Sequence, residues 1–147
     1  MTGDGENISP LPSFLLNTGV KAKMTINEVI DNIDARKIGN QFERREKIAW
    51  LNQLDGRIKR EIIDRHEGAE DIKFEKYDEN TNADTKLLAS GAYEDLYIYY
   101  LEAMIDRANQ ESEHFNNDMI MFNSVYTAFA RDYNRRNMPK ETNIKGV

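Results

Sequence analysis

Glu111 and His114 are the two residues whose types and spacing could hold a metal ion. An E-x-x-H pair places a carboxylate and an imidazole one turn apart on a helix, as in the di-iron carboxylate bundles. Those bundles need a second copy of the pair, and the only other histidine, His66, has Ile63 three positions before it. We therefore expect no metal ligand and no cofactor, and we expect His114 to be an exposed or partly buried polar residue of a helix.

Glu102 and Asp106 also stand one turn apart, as two carboxylates in general acid–base catalysis could. Such catalysis needs a pocket that raises the pKa of one carboxyl group and an acceptor for its proton. Nothing in the sequence indicates that pocket, and the chain has no phosphate-binding glycine motif and no G-x-S-x-G motif. It has no Cys, which excludes thiolate nucleophiles and cysteine-based zinc sites. The sequence predicts no catalytic residue and no enzymatic activity.

Aromatic side chains recur at steps of three and four residues between positions 93 and 133, and they could stack on nucleic-acid bases. This spacing is more typical of a helix face that packs in a core or against another subunit. Acidic neighbours such as Glu94 and Asp95 would also repel a phosphate chain. Tyr99 lies off the aromatic face, so we predict that it belongs to a protein interface, where Tyr is enriched.

Charge is distributed unevenly along the chain. Residues 67–118 hold 14 Asp and Glu against 4 Lys and Arg, whereas residues 119–147 hold 5 Lys and Arg against 2 Asp and Glu. This small basic surplus argues against sequence-specific binding of nucleic acid. The uneven distribution of charge favours docking between subunits, in which the acidic block of one subunit faces the basic end of the next. Charged residues that only solvate the helices would give the same pattern. The predicted interface residues of this end are Arg131, Arg135, Arg136 and Lys140.

The elements that position these residues fit in one domain of a 147-residue chain. The longest apolar run, residues 119–122, is far shorter than the roughly 20 residues of a membrane span, so no membrane association is expected. Sustained apolar periodicity begins only after residue 23. We expect a flexible arm over residues 1–23, a helical domain over 24–138 and a basic tail over 139–147.

Two shorter helices are predicted first. Thr25 and Glu28 form a capping box, which marks a helix start. The helix that follows has one apolar face with the i, i+3, i+4, i+7 spacing, made of Ile26, Val29, Ile30 and Ile33. A second helix is predicted over residues 43–66. We expect this second helix to pack on the C-terminal helix through a shared core, made of Trp50, Leu54, Ile58 and Leu101.

An eleven-residue repeat of mostly apolar positions runs from 93 to 136, for example Tyr93, Met104, Phe115 and Tyr126. Eleven residues in three turns is close to the period of a straight helix. The shared phase favours one long C-terminal helix on which the two shorter helices pack. The alternative is a helix that is kinked or split near 109–117, with Asn117 or Asp118 as the N-cap of a separate last helix.

Residues 67–92 between these helices are polar. A short alternation at Ile72 and Phe74 could form a small β-hairpin with Leu87 and Leu88, or the whole segment could be an extended loop. The predicted fold class is therefore mainly α, with a loop or a small hairpin at 67–92.

Several runs resemble a family of small proteins from phages and prophages of Firmicutes. The residues that carry the resemblance are KIAWLNQLDGRI at 47–58, YEDLYIYYLEAMID at 93–106, FNN at 115–117, FNSVY at 122–126 and YNRRNMP at 133–139. In size and helical pattern the family is similar to head-to-tail connector, or adaptor, proteins. The arm at 1–23 is not part of the family pattern.

The resemblance implies a structural protein that assembles as a ring on the phage portal. Its implied partners are the portal protein and other copies of itself, and a tail or stopper protein would also fit. Its implied location is the head–tail junction of the virion, after assembly in the host cytoplasm. The alternative that the sequence leaves open is a helical regulatory or scaffold protein that binds another protein and never enters a virion.

Overall fold

The computed structural model describes residues 23–89 and 91–141, which are mainly α-helical and contain no strand. The four helices are α1 (Ile26–Arg36), α2 (Arg44–Glu61), α3 (Asp95–Ala108) and α4 (Ser112–Arg136). None of the helices in this part of the chain has the length and hydropathy of a membrane span. The predicted α fold with a long last helix is confirmed. Apart from Lys23 and residues 139–141, the predicted arm and tail lie outside the described residues.

The predicted capping box opens α1. The Thr25 hydroxyl accepts a hydrogen bond from the Glu28 amide at 3.0 Å, and the Glu28 carboxylate accepts one from the Thr25 amide at 2.9 Å. These two bonds satisfy amide groups that a helix start otherwise leaves without partners. The predicted apolar face is buried along the whole helix, at Ile26, Val29, Ile30 and Ile33.

The second helix is shorter than predicted. It ends at Glu61, and the chain continues as the 3₁₀ turn Ile63–Arg65. Leu54 and Ile58 are buried as predicted, and so is Leu101 of α3. Trp50 is only partly buried and packs on Phe42, with ring centres 5.5 Å apart. It precedes buried Leu51 by one position, so its indole covers the edge of the core instead of filling it.

The favoured prediction of one continuous helix over 93–136 is wrong, because the chain breaks between α3 and α4. The alternative of a split near 109–117 is confirmed. Gln110 has a φ of 60°. The Gln110 amide donates to the Arg107 carbonyl at 3.0 Å, and the Glu111 amide donates to the Asp106 carbonyl at 2.8 Å. This is the Schellman arrangement that ends a helix, with a left-handed residue at its centre. The predicted N-cap at Asn117 or Asp118 is also wrong, since α4 begins at Ser112.

Helices α3 and α4 form an antiparallel hairpin. Tyr100 packs on Phe122 with ring centres 5.4 Å apart, and Tyr93 packs on Phe129 at 5.5 Å. As the residue number increases along α3, the number of the contacting residue on α4 decreases, as expected for antiparallel helices. The common eleven-residue phase arises because the two helices turn their apolar faces toward the same core. The eleven-residue repeat therefore indicates which positions face the core, but it does not indicate whether the helix is continuous.

The segment between α2 and α3 is a loop. Of the two structures that the sequence allowed for it, the extended loop is therefore correct and the small β-hairpin is not. Residues 67–89 form no hairpin, and their one bridge to another segment in this region joins Lys86 to Thr25. Tyr77, Leu87 and Ala89 bury their side chains under the helices. The loop is thus fixed by a few buried side chains and by backbone hydrogen bonds to the start of α1, such as that from the Ile26 amide to the Thr85 carbonyl at 3.0 Å.

Asp55 of α2 is the acceptor that holds this loop. Its carboxylate is fully buried and accepts hydrogen bonds from the hydroxyls of Tyr77 and Tyr97, both at 2.7 Å, and from the Leu88 amide at 3.0 Å. The Tyr97 hydroxyl in turn accepts a bond from the Ala89 amide at 2.7 Å. Burial raises the pKa of Asp55, and the three donors act against that rise. One side chain thereby joins α2, α3 and the loop.

We expect Gln110→Gly to raise the free energy of unfolding by up to about 1 kcal/mol, because Gly adopts positive φ without the cost that other residues incur. Ala128→Gly, at an exposed position inside α4, is the matched control and should lower it by about 1 kcal/mol. Urea denaturation measures both changes. A loss at position 110 as large as that at 128 would indicate a continuous helix.

We expect Asp55→Ala to lower the free energy of unfolding by about 3 kcal/mol or more, because it leaves two buried hydroxyls and a buried amide without their acceptor. Tyr77→Phe removes one of these bonds and should cost about 1 kcal/mol. Asp84→Ala, in the exposed part of the same loop, should change stability by less than about 0.5 kcal/mol. Chemical denaturation that ranks Asp55→Ala with Asp84→Ala would contradict the role assigned to Asp55.

Candidate protein-docking surface at the basic end of the hairpin

The C-terminal half of α4 is attached to α2 by polar contacts. The Arg57 guanidinium lies 4.5 Å from the centre of the Tyr126 ring, and the Tyr126 hydroxyl donates to the Glu61 carboxylate at 2.9 Å. Burial and the Glu61 charge raise the pKa of Tyr126 to about 12. The phenol therefore keeps its proton, and with it this bond, at any physiological pH.

His66 joins the end of α2 to the end of α4. Its buried ring donates from Nδ1 to the Ile62 carbonyl at 2.6 Å, and its Nε2 meets the side-chain amide of Asn134 at 2.8 Å. The ring also packs edge-on against Tyr133, with centres 4.9 Å apart. The last two turns of α4 are thus held in one orientation relative to α2.

The chain after α4 turns back onto the same place. The Lys140 amide donates to the Arg65 carbonyl at 2.9 Å, and the Glu67 amide donates to the Met138 carbonyl at 2.8 Å. This pairing brings two exposed basic residues, Lys140 and Arg65, to one end of the molecule. Arg65 was not among the sequence predictions, because 75 positions separate it from Lys140 and no local pattern links them.

Three predicted arginines complete this surface. Arg131, Arg135 and Arg136 are exposed on the last two turns of α4. Arg135 and Arg136 both bind the carboxylate of Asp132, at 3.1 and 2.9 Å. Asp132 is mostly buried and also bonds Tyr93, whose pKa is raised by burial and by that carboxylate. Asp132 therefore orients Arg135 and Arg136 in the free protein, and its carboxylate neutralises part of their positive charge.

We call the set Arg65, Arg131, Arg135, Arg136, Met138 and Lys140 the basic end. Its one apolar member, Met138, is 67% exposed. Met and Arg are both enriched in protein interfaces, so this surface has the composition of a docking site. It contains four of the five interface residues predicted from the sequence.

Tyr99, the fifth predicted residue, lies elsewhere. It is partly buried against the core on α3, and its hydroxyl is close enough to Arg36 of α1 to influence that guanidinium. The ring pairs of the hairpin place Tyr99 level with position 123 of α4. This level is ~18 Å along the helix axis from Arg135, at 1.5 Å per residue. Tyr99 and the basic end therefore do not form one site.

At the opposite end of the hairpin, Glu111 and Glu113 are exposed around the start of α4, and we call this pair the acidic end. Glu102 and Asp106 of α3, the carboxylates that we considered for acid–base chemistry, each bind a cation at the C-terminal end of α1: Arg36 contacts Glu102 at 2.8 Å, and Lys37, which follows the helix, contacts Asp106 at 2.9 Å. These pairs fix α1 against α3. The nearby carboxyl of Asp118 has its pKa raised to about 7 by burial and by its contact with Asp106.

The two ends are separated by the length of α4. Its 25 residues span ~37 Å at 1.5 Å per residue, with the acidic end at its first turns and the basic end at its last. The hairpin thus holds opposite charges at a fixed distance on a single chain. This arrangement suits contacts in which the basic end of one molecule meets an acidic surface of another.

Comparison of the chain with protein-family models, with curated proteins and with solved structures gives no match.

We expect His66→Ala to lower the free energy of unfolding by about 2 kcal/mol or more, because it removes two hydrogen bonds and an aromatic contact from a buried position. The other histidine is the matched control. His114 is exposed, as predicted, and His114→Ala in metal-free buffer should change stability by less than about 0.5 kcal/mol. Hydrogen exchange should show faster exchange at residues 131–137 in His66→Ala alone. Equal protection there in both variants would show that His66 does not hold the basic end.

Proposed function

We propose that this chain is a structural phage or prophage protein that assembles as a ring on the portal, as a head-to-tail connector. The observation that carries the proposal is the fixed separation of an acidic end and a basic end by one helical hairpin. The resemblance of residues 47–58 and 93–139 to small phage proteins supports the same function. Its partners would be the portal protein and neighbouring copies, at the head–tail junction of a virion.

The basic end has the features that a contact at an interface rim requires. Its arginines are exposed, and Asp132 orients two of them. A single exposed ion pair contributes at most about 1 kcal/mol, which would not hold two proteins together. In a closed ring every subunit repeats the same contact, so weak pairs act together on one large portal surface. A connector can therefore use a polar, rim-like surface for assembly.

A second candidate function is a helical protein that binds one partner and never enters a virion. Ile120 and Met121 are exposed on the first half of α4 and favour this candidate, since a partner could cover them with an apolar groove. These residues lie away from the basic end. Substitution of the two surfaces therefore distinguishes the two candidates.

The double substitution Arg135→Glu and Arg136→Glu tests the connector function. We expect it to abolish co-sedimentation with portal particles of the same phage or prophage, because two attractive rim contacts become repulsive at every subunit. The matched control is Arg44→Glu with Arg45→Glu, two exposed neighbouring arginines at the other end of α2 that carry the same charge change. The control should co-sediment as the parent does, and helical circular dichroism should be unchanged in both.

Undiminished co-sedimentation of the Arg135 and Arg136 variant would reject the basic end as the portal contact. The arginines would then only stabilise the C-terminus of α4 through its dipole. Loss of binding after Ile120→Ser and Met121→Ser, with the arginine variant unaffected, would favour the second candidate.

A further inference from the structure

The turn between α3 and α4 brings together three side chains that are metal ligands in other proteins. Asp106 lies in the last turn of α3, Glu111 directly precedes α4, and His114 lies in the first turn of α4. One carboxylate oxygen of Asp106, one of Glu111 and one ring nitrogen of His114 all lie within 4.8 Å of one another. The E-x-x-H pair of the sequence thus gains a third ligand from the preceding helix, in place of the second E-x-x-H pair that a di-iron site would need.

The carboxylate of Asp106 is buried with one oxygen unsatisfied. The side chain is only 1% exposed, and its Oδ1 receives the Lys37 ammonium at 2.9 Å. Its Oδ2 is buried and meets no hydrogen-bond donor among the described residues, and the same is true of Asp118 Oδ2. A buried carboxylate oxygen without a donor is costly, so this atom requires a positively charged or hydrogen-bonding partner.

Neighbouring carboxylates increase the need of Asp106 for a positively charged or hydrogen-bonding partner. The Asp106 carboxyl group lies within hydrogen-bonding reach of the carboxyl groups of both Asp118 and Glu111, which only accept hydrogen bonds when they are ionised. Three carboxylates in contact repel one another unless a proton or a cation lies between them. Lys37 supplies one positive charge, and that charge is already placed on the other oxygen of Asp106. The remaining negative charge can therefore be balanced by a proton between the carboxyl groups or by a further cation.

The remaining two ligands are accessible from solvent. The side chains of Glu111 and His114 are 50% and 63% exposed, so a hydrated ion can reach them. The His114 Nδ1 lies 3.6 Å from Glu111 Oε1, which is longer than a hydrogen bond. Ligand atoms around a zinc-sized ion stand ~3.4 Å apart when each bond is about 2.1 Å long. Rotation of the exposed side chains of Glu111 and His114 that moves their ligand atoms by about 1 Å would bring all three ligand atoms within bonding distance of one ion.

We propose that the joint between α3 and α4 binds one divalent transition-metal ion through the carboxylates of Asp106 and Glu111 and the imidazole of His114. Two carboxylates and one imidazole suit Zn²⁺ or Mn²⁺ better than Mg²⁺ or Ca²⁺, which prefer oxygen ligands throughout. Water would fill the remaining positions, because three protein ligands do not complete a coordination shell. The ion would tie the first turn of α4 to the last turn of α3.

Calorimetric titration of the full chain with ZnCl₂, after removal of metal with EDTA, tests the site. We expect saturable binding of one ion per chain in the micromolar range. Glu111→Gln and His114→Ala should each weaken it at least tenfold. Glu113→Gln is the matched control, since Glu113 is exposed in the same turn of α4 but lies outside the ligand group, and it should bind as the parent does. All three substitutions are at exposed positions, so the variants should fold, and circular dichroism checks this.

Mn²⁺ provides a second, position-specific measurement. As a paramagnetic ion it should broaden the NMR signals of Asp106, Glu111 and His114 at substoichiometric concentration and leave the signals of His66 sharp. The proposal is overturned if zinc binding does not saturate at millimolar metal, if Glu113→Gln weakens binding as much as His114→Ala, or if broadening by Mn²⁺ is uniform along the chain. The first of these results would mean that a proton alone bridges the carboxylates.

Discussion

The buried carboxylate of Asp55 is the interaction on which the rest of the structure depends. Residues 67–89 form no regular secondary structure beyond single turns, so their order must come from contacts with the helices. Asp55 supplies the buried ones among these contacts, because it accepts bonds from Tyr77 and Leu88 of the loop and from Tyr97 of α3. A carboxylate in a dry core is tolerated only when its oxygens are satisfied. The same atoms that make Asp55 costly to bury therefore fix one relative position for α2, α3 and the loop.

A fixed α3 then determines where α4 can lie. The hairpin turn is only residues 109–111, and the ring pairs Tyr100–Phe122 and Tyr93–Phe129 set the register of the two helices. Because α4 is anchored at its far end by His66, neither end is free to swing. The charges at the two ends of α4 are thus held at a constant spacing. This rigidity is what a subunit needs if weak polar contacts are to add up around a ring.

Local signals in the sequence were sufficient for some of these features. The capping box at Thr25 and the apolar face of α1 follow from neighbouring residues, and so does the burial of Leu54 and Ile58 in α2. The break after α3 was only the less favoured alternative from the sequence, because Gln110 occupies the left-handed position that Gly usually marks. Asp55 gave no signal either, since one Asp in an amphipathic helix is usually exposed. The grouping of Asp106 with Glu111 and His114 depends on the break and was missed, as was the approach of Arg65 to Lys140.

The central proposal is that the basic end faces the portal in a ring of identical subunits. Electron cryomicroscopy of portal particles incubated with the intact chain tests it most directly. The predicted result is an added ring of helical density in which the C-terminal turns of α4, with Arg135 and Arg136, contact an acidic surface of the portal. Portal particles without added density, or a bound ring whose α4 C-termini point into solvent, would contradict the proposal.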